Sequence, residues 1–275
     1  GLGDVYKRQS ETCALDTVGA EFVRDVEPGE VVTITKDGIK SDKSLCQKNT
    51  ARCIFEYIYF ARPDSKIDGM GVYESRINAG RILAKTHPVE ADIVVGVPES
   101  GNPAALGFSM ESGIPYGNAF IKNNYVGRTF IKPKQEQRES SVKVKLNVLK
   151  EAVAGKRVVM IDDSIVRGTT SARIVNLLKA AGAKEVHVRI SSPAFLHPCY
   201  FGTDIPSEDQ LIASGHSVDE ICEIIGADSL GYLEVDKLSE MICGQTGYCD
   251  ACFTGNYPIA VSYTHLRAHE TSAHL

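Results

Sequence analysis

An α/β fold, a parallel sheet flanked by helices, is predicted by three observations. The first is the run Val158-Val159-Met160-Ile161, four apolar residues suited to a strand covered on both faces, which stops at the acid pair Asp162-Asp163. The second is the segment after that pair. A loop over Ser164 to Thr170 leads into a helix with Ile174, Leu177, Leu178 and Ala181 on one face and Gly182 as its stop, and then into a strand at Val186, Val188 and Ile190. The third is another strand-turn-helix, with Asp92 to Val97 running through Pro98-Glu99-Ser100-Gly101 into a helix over Ala104 to Glu111. Such units form right-handed crossovers whose loops lie at the carboxyl edge of the sheet, where open sheets bind ligands.

Composition bounds the function. The chain has 275 residues, 43% hydrophobic and 24% charged, with a net charge of -5, enough to bury a sizeable core. The mild acidity argues against a nucleic-acid binder, and no long apolar segment or signal peptide is read, so no membrane role and a cytoplasmic location are expected. Eight cysteines in such a chain read as reduced thiols or metal ligands rather than as a disulfide framework.

In chain order, residues 1–9 and 261–275 read as non-native flanks, and His265, His269 and His274 in the second are given no metal role. Residues 10–44 read as a short helix, a Pro-Gly turn and a strand at Val31 to Thr35 closed by Asp37-Gly38, too little for a domain. Cys13 is expected to be a buried structural thiol. A domain over 45–260 comes next. Cys53 to Phe60, aromatic and β-branched, predicts a strand ending near Arg62 to Ser65, and Val72 to His87 predicts a helix with Tyr73, Ile77, Gly80 and Ala84 on its buried face. The long basic run between Ile121 and Asn147 predicts a lid. His187, between Val186 and Val188, reads as a packed or edge residue, and the stretch from Ser207 to Met241 as helices alternating with short turns. Cys249-Asp250-Ala251-Cys252 is a CxxC, which needs two further ligands before it can hold zinc or a cluster.

The loop after the acid pair carries the chemistry. Ser164, Gly168, Thr169 and Thr170 offer hydroxyls and approachable backbone N–H groups at a helix N-terminus, which suits a phosphate monoester, and Thr169 or Thr170 is the expected N-cap. Asp162 and Asp163 would repel that phosphate. They suit the vicinal hydroxyls of a sugar or a Mg²⁺ ion instead, so a phosphorylated ribose fits both halves. The Pro98 turn is a second phosphate candidate.

The string VVMIDDSIVRGTTSARIV resembles the phosphoribosyl pyrophosphate (PRPP) loop of type I phosphoribosyltransferases, and within them the glutamine PRPP amidotransferase family. That resemblance implies a type I phosphoribosyltransferase fold, preceded over 10–44 by the end of an Ntn-type glutaminase domain whose nucleophilic cysteine is absent here. It implies PRPP contacts at Asp162, Asp163, Ser164, Arg167, Gly168, Thr169 and Thr170, and Mg²⁺ at Ser100, Asp162 and Asp163. Glu99 stands where many relatives have Asp and is left unassigned. The lid would bring Lys122, Tyr125, Arg128 and Arg138 over the pyrophosphate. In the iron-sulfur branch of the family, four cysteines hold a [4Fe-4S] cluster, and by motif they fall on Cys53, Cys199, Cys249 and Cys252. A structural zinc on the same four is the competing reading. The implied reaction is transfer of ammonia, from glutamine in the complete enzyme, to PRPP, the first step of purine synthesis, in a homo-oligomer inhibited by purine nucleotides. A purine salvage phosphoribosyltransferase, a PRPP-binding regulator and an inactive fragment remain as alternatives.

Overall fold

The computed structural model describes residues 11–46, 50–122, 146–203, 205 and 207–260. At its centre are four strands, β1 (Ile93–Gly96), β2 (Arg157–Asp162), β3 (Glu185–Ile190) and β4 (Ser229–Tyr232), in the order β4-β3-β2-β1. All neighbours are parallel, in a register that aligns Val94, Val159, His187 and Ser229. This is the predicted parallel sheet. Alternate residues of β2 enter opposite cores. Val158 and Met160 pack with Ile174, Val175 and Leu178 of α3 (Thr169–Ala180) and with Ile221 and Ile225 of α4 (Val218–Ile225). Val159 and Ile161 face Ala79, Ile82 and Leu83 of α1 (Val72–Thr86) and Ala104 and Phe108 of α2 (Gly101–Ser112). Burial on both faces is why the strand reads as an uninterrupted apolar run, each such side chain contributing about 1.5–3 kcal/mol.

The contact between α1 and α2 aims the second loop. A Cβ on Gly80 would stand 1.8 Å from the Ala104 carbonyl oxygen, and one on Gly107 would stand 2.0 Å from that of Ile77. Backbone therefore meets backbone, and α2 is seated with Gly101 against β2, where a Cβ would stand 2.5 Å from the Ile161 carbonyl oxygen. The first residue of α2 thus lies beside the acids.

Several expectations need correction. Cys53 to Phe60 is not a strand: only Arg52–Cys53 pairs, in parallel with Tyr248–Cys249, and Glu56–Phe60 forms a π-helix. Its side chains do not alternate, since Tyr57 and Ile58 are both buried while Tyr59 and Phe60 are both exposed. The decisive partner is Arg76 of α1, buried at 3% exposure, which donates through Nε to the Tyr57 carbonyl (2.9 Å) and through Nη2 to that of Ala61 (2.8 Å). A guanidinium supplied by tertiary packing satisfies carbonyls that a strand neighbour would otherwise take. Tyr73 leaves the buried face of α1 and is 47% exposed, whereas Ile77, Gly80 and Ala84 are buried as expected. In α3, Val175 rather than Leu177 is fully buried. The stretch from Ser207 to Met241 contains β4, which apolar patterning missed because Ser229 and Gly231 dilute it.

The segment before the sheet is tied down by few bonds. Glu11 accepts from the Arg62 amide (2.7 Å) and the Ser65 hydroxyl (2.8 Å), and Thr12 Oγ1 accepts from the Lys66 amide (2.8 Å). A short helix, Cys13–Val18, comes next with Cys13 buried, then the antiparallel pair Val31–Thr35 and Gly38–Asp42. His187 is packed, its ring bonded to Ser229 Oγ (2.9 Å) and Glu185 (3.1 Å). No described helix is long and apolar enough to cross a membrane. Gly80→Ala and Gly107→Ala are each expected to cost about 1–3 kcal/mol or more, as overpacking does, seen as a lower urea midpoint at unchanged slope.

Candidate active site

β2 and β1 end side by side, with Gly96 opposite Ile161, so the loops that leave them meet. They enclose a cavity of about 590 Å³ lined by Ser100, Asp162, Asp163, Ser164, Arg167, Gly168, Thr169 and Thr170, among others. Every PRPP and Mg²⁺ contact inferred from the sequence is therefore gathered in one place. Gly168, in the left-handed region at φ 76°, is the residue that turns the loop into α3, and it rather than Thr169 or Thr170 occupies the N-cap position. It makes no side-chain cap, so the first amides of α3 have no capping side chain beside the cavity. Both threonines lie within the helix, exposed to the cavity.

Asp162 and Asp163 are only 7% and 9% exposed. Asp162 Oδ1 accepts from the Asp163 amide (2.9 Å), while Asp163 accepts from Ser164 Oγ (2.6 Å) on one oxygen and from Ser100 Oγ on the other. Ser100 thus joins the two loops. Burial pushes the Asp162 carboxyl well above its ordinary range, and Asp163 beside it adds to the shift. Burial also raises Asp163, against the opposing pull of the Ser100 and Ser164 hydroxyls and the nearby Arg76. Among the described residues, no cation lies within ion-pairing distance of either acid. Two buried carboxyls with serine hydroxyls around them form a hard oxygen donor set, which fits Mg²⁺.

Sequence reasoning missed the aromatic wall. Phe55, Tyr59, Phe60 and Phe195 also line the cavity, with Thr203 and Ile205. The string was legible as aromatic, but its placement depends on the π-helix. Lys122 lies at the end of the strand Phe120–Lys122 and pairs with Glu99 at 3.2 Å. Tyr125, Arg128 and Arg138 lie outside the described residues.

The four matched cysteines also converge. Cys53 and Cys249 are cross-strand partners, and the amides of Leu196 and His197 donate to the Cys252 carbonyl (3.0 and 3.1 Å), bringing the Cys199 segment alongside. All four line one cavity of about 1210 Å³. Burial pushes Cys53 up to about 11 and raises Cys252 and Cys249, with the neighbouring cysteines adding to each. Burial also opposes the Cys199 thiolate, but the amides of Gly202, Phe201 and Thr203 outweigh it and lower that thiol. Among the described residues no three His, Cys, Asp or Glu side chains are gathered closely enough to hold a metal ion.

A model of the phosphoribosyl transferase domain matches residues 74–191, which span β1, α2, β2, α3 and β3. The chain contains a phosphoribosyltransferase domain. It is 54% identical over 263 residues to the amidophosphoribosyltransferase of Archaeoglobus fulgidus, covering 94% of this chain and 58% of that protein. It is 53% identical over 268 residues to that of Bacillus subtilis, covering 94% and 56%. A solved structure described as the allosteric regulatory enzyme of purine biosynthesis superposes with a TM-score of 0.86 at 53% identity, over 92% of this chain and 56% of that one. The B. subtilis glutamine PRPP amidotransferase, complexed with ADP and GMP, superposes with a TM-score of 0.85 at 52% identity, over 92% and 57%. The fold is thus the type I phosphoribosyltransferase fold, and the chain spans a little over half the length of the relatives it matches.

The acid pair makes the phosphoribosyltransferase domain less stable than it could be. Because the native Asp162 carboxyl keeps its proton to higher pH than the unfolded one, stability falls as pH rises from about 4 and returns as pH drops. In chelator at pH 7, Asp162→Asn is expected to raise the melting temperature by roughly 2–4 °C, the shift of about 1 kcal/mol in a domain this size. The gain is expected to vanish near pH 3, and a gain that persisted there would contradict the burial of an ionised group.

Proposed function

We propose that this chain carries the ammonia-transfer half of an amidophosphoribosyltransferase, displacing pyrophosphate from C1 of PRPP with ammonia to give 5-phosphoribosylamine. The observation that carries this reading is the single cavity in which the Ser164–Thr170 cradle and the buried acid pair stand together, with Ser100 of the second turn bonded to Asp163. The 5′-phosphate lies against the hydroxyls and amides of Ser164 to Thr170, and Asp162 and Asp163 accept from the ribose hydroxyls. The Ser100 turn at the N-terminus of α2 takes the pyrophosphate side. Held at Ser100, Asp162 and Asp163, Mg²⁺ would supply the charge that offsets the leaving pyrophosphate.

No protein nucleophile is required. As the C1–oxygen bond breaks, positive charge grows on the ribose next to the acids and negative charge on the pyrophosphate, so catalysis is positioning plus electrostatics. The ammonia lone pair forms the new C1–nitrogen bond, and the excess proton leaves to solvent. The aromatic wall and the lid, with Lys122, Tyr125, Arg128 and Arg138, keep water from competing for C1.

Two supports concern the rest of the protein. Val23 and Ile34, 81% and 77% exposed, lie on the segment before the sheet, as expected for the end of a glutaminase domain that would cover them. The four-cysteine cavity is read as a [4Fe-4S] site that staples residues 248–253 to the start of the domain, with purine nucleotides as inhibitors by similarity to the ADP- and GMP-bound relative. Pyrophosphate release from PRPP in ammonium buffer is expected, falling at least 100-fold in Asp163→Asn. Release unchanged by that substitution, or absent from a folded, Mg²⁺-supplied sample, would remove the proposal. Purified protein is expected to absorb near 400 nm, at roughly the position of thiolate-bound iron clusters, and Cys249→Ser to lose the iron. Stoichiometric zinc without iron would replace the cluster by the zinc reading.

A further inference from the structure

Arg167 is the one cation among the described side chains that line the candidate active site, a cavity otherwise holding two acids and neutral groups. A long, exposed arginine would sample many rotamers, and only some would serve a ligand phosphate. Its guanidinium, however, donates through Nη2 to Gln210 Oε1. The Gln210 amide is itself oriented, because Nε2 donates to Ser207 Oγ (3.3 Å) and so leaves the oxygen for the arginine. The same short segment grips the loop twice more. The Ile212 amide donates to the Val166 carbonyl (2.9 Å), and Ile212 Cδ1 lies 2.7 Å from where a Cβ on Gly168 would stand. Residues 207–212 are thus attached to residues 166, 167 and 168 through backbone, side chain and packing.

We propose that Gln210 is a positioning residue for phosphate binding, acting through Arg167. Gln210 does not itself line the cavity. Its value lies in being neutral. An amide oxygen fixes one N–H of the guanidinium and leaves four others, with the full positive charge, for a dianionic ligand. A glutamate there would hold the arginine in the same place but cancel its charge. A dianionic phosphate monoester is therefore the ligand class that this pairing serves, and the inference rests on the reading of the Ser164–Thr170 loop as the 5′-phosphate site.

The test uses the whole chain and ribose 5-phosphate, by calorimetric titration at fixed salt, with steady-state kinetics on PRPP alongside. Gln210→Ala is expected to weaken ribose 5-phosphate binding about three- to tenfold and to raise KM for PRPP similarly, with kcat within about twofold. Gln210→Glu, despite its close match in size, is expected to weaken binding about tenfold or more, less so at high salt. In an Arg167→Met background neither substitution is expected to add more than about twofold, because the residue through which Gln210 acts is gone. Wild-type affinity in Gln210→Glu, or losses that persist in full without Arg167, would overturn the proposal in favour of a merely structural amide. If the wild-type chain fails to bind ribose 5-phosphate, the phosphate reading of the loop falls and this inference with it. If wild type binds and the Gln210 variants bind equally well, this inference alone falls.

Discussion

Two adjacent carboxyls are held in the protein at the end of a central strand, and the rest of the molecule is arranged to tolerate them. An unpaired buried carboxylate costs several kcal/mol, which the neighbours offset only in part: one amide, two serine hydroxyls and the nearby Arg76 guanidinium. What remains is an electrostatic deficit pointed into an open cavity, and a deficit of that sign is an affinity for cations and for hydroxyl donors. The sheet supplies the stability that makes this possible. β2 is buried on both faces along most of its length, so the acids sit at the end of a firmly packed strand.

The shape of the cavity depends on how closely the two loops approach. The Ser100 hydroxyl can reach Asp163 because Gly101 lies against Ile161, and Gly101 lies there because α2 is pressed onto α1 at Gly80 and Gly107. A Cβ at any of these positions would push the second turn away from the first. The separation of the two turns that line the cavity is therefore set by helix packing at some distance from it.

The π-helix performs a second structural task. Phe60, on that helix, and Thr203 line both the acid-pair cavity and the four-cysteine cavity. Arg76 holds the helix at Tyr57 and Ala61 and lowers the Asp163 carboxyl by its charge. Phe60 is thus shared between the aromatic wall of one cavity and the lining of the other. Burial favours neutral thiols at Cys53, Cys249 and Cys252, so an empty cavity would leave their sulfurs without a strong partner.

How much of this was legible in the sequence depended on the range of the interactions. The amino-acid sequence by itself determined the strand Val158–Ile161, the acids that end it, the phosphate-suited loop and the helix behind it, because each arises from local pattern and local backbone chemistry. It also determined the resemblance that drew Cys53, Cys199, Cys249 and Cys252 together, although nothing in their spacing could. Tertiary structure alone decided that Cys53 to Phe60 winds into a π-helix, since the donor that holds it comes from Arg76. It decided that Tyr73 faces solvent, that Gly168 and not a threonine is the N-cap of α3, and that β4 joins the sheet despite its weak pattern. It also brought Gln210 to Arg167 across 43 residues. For the π-helix, β4 and Gln210 the deciding partner lies far along the chain, where no local propensity registers it.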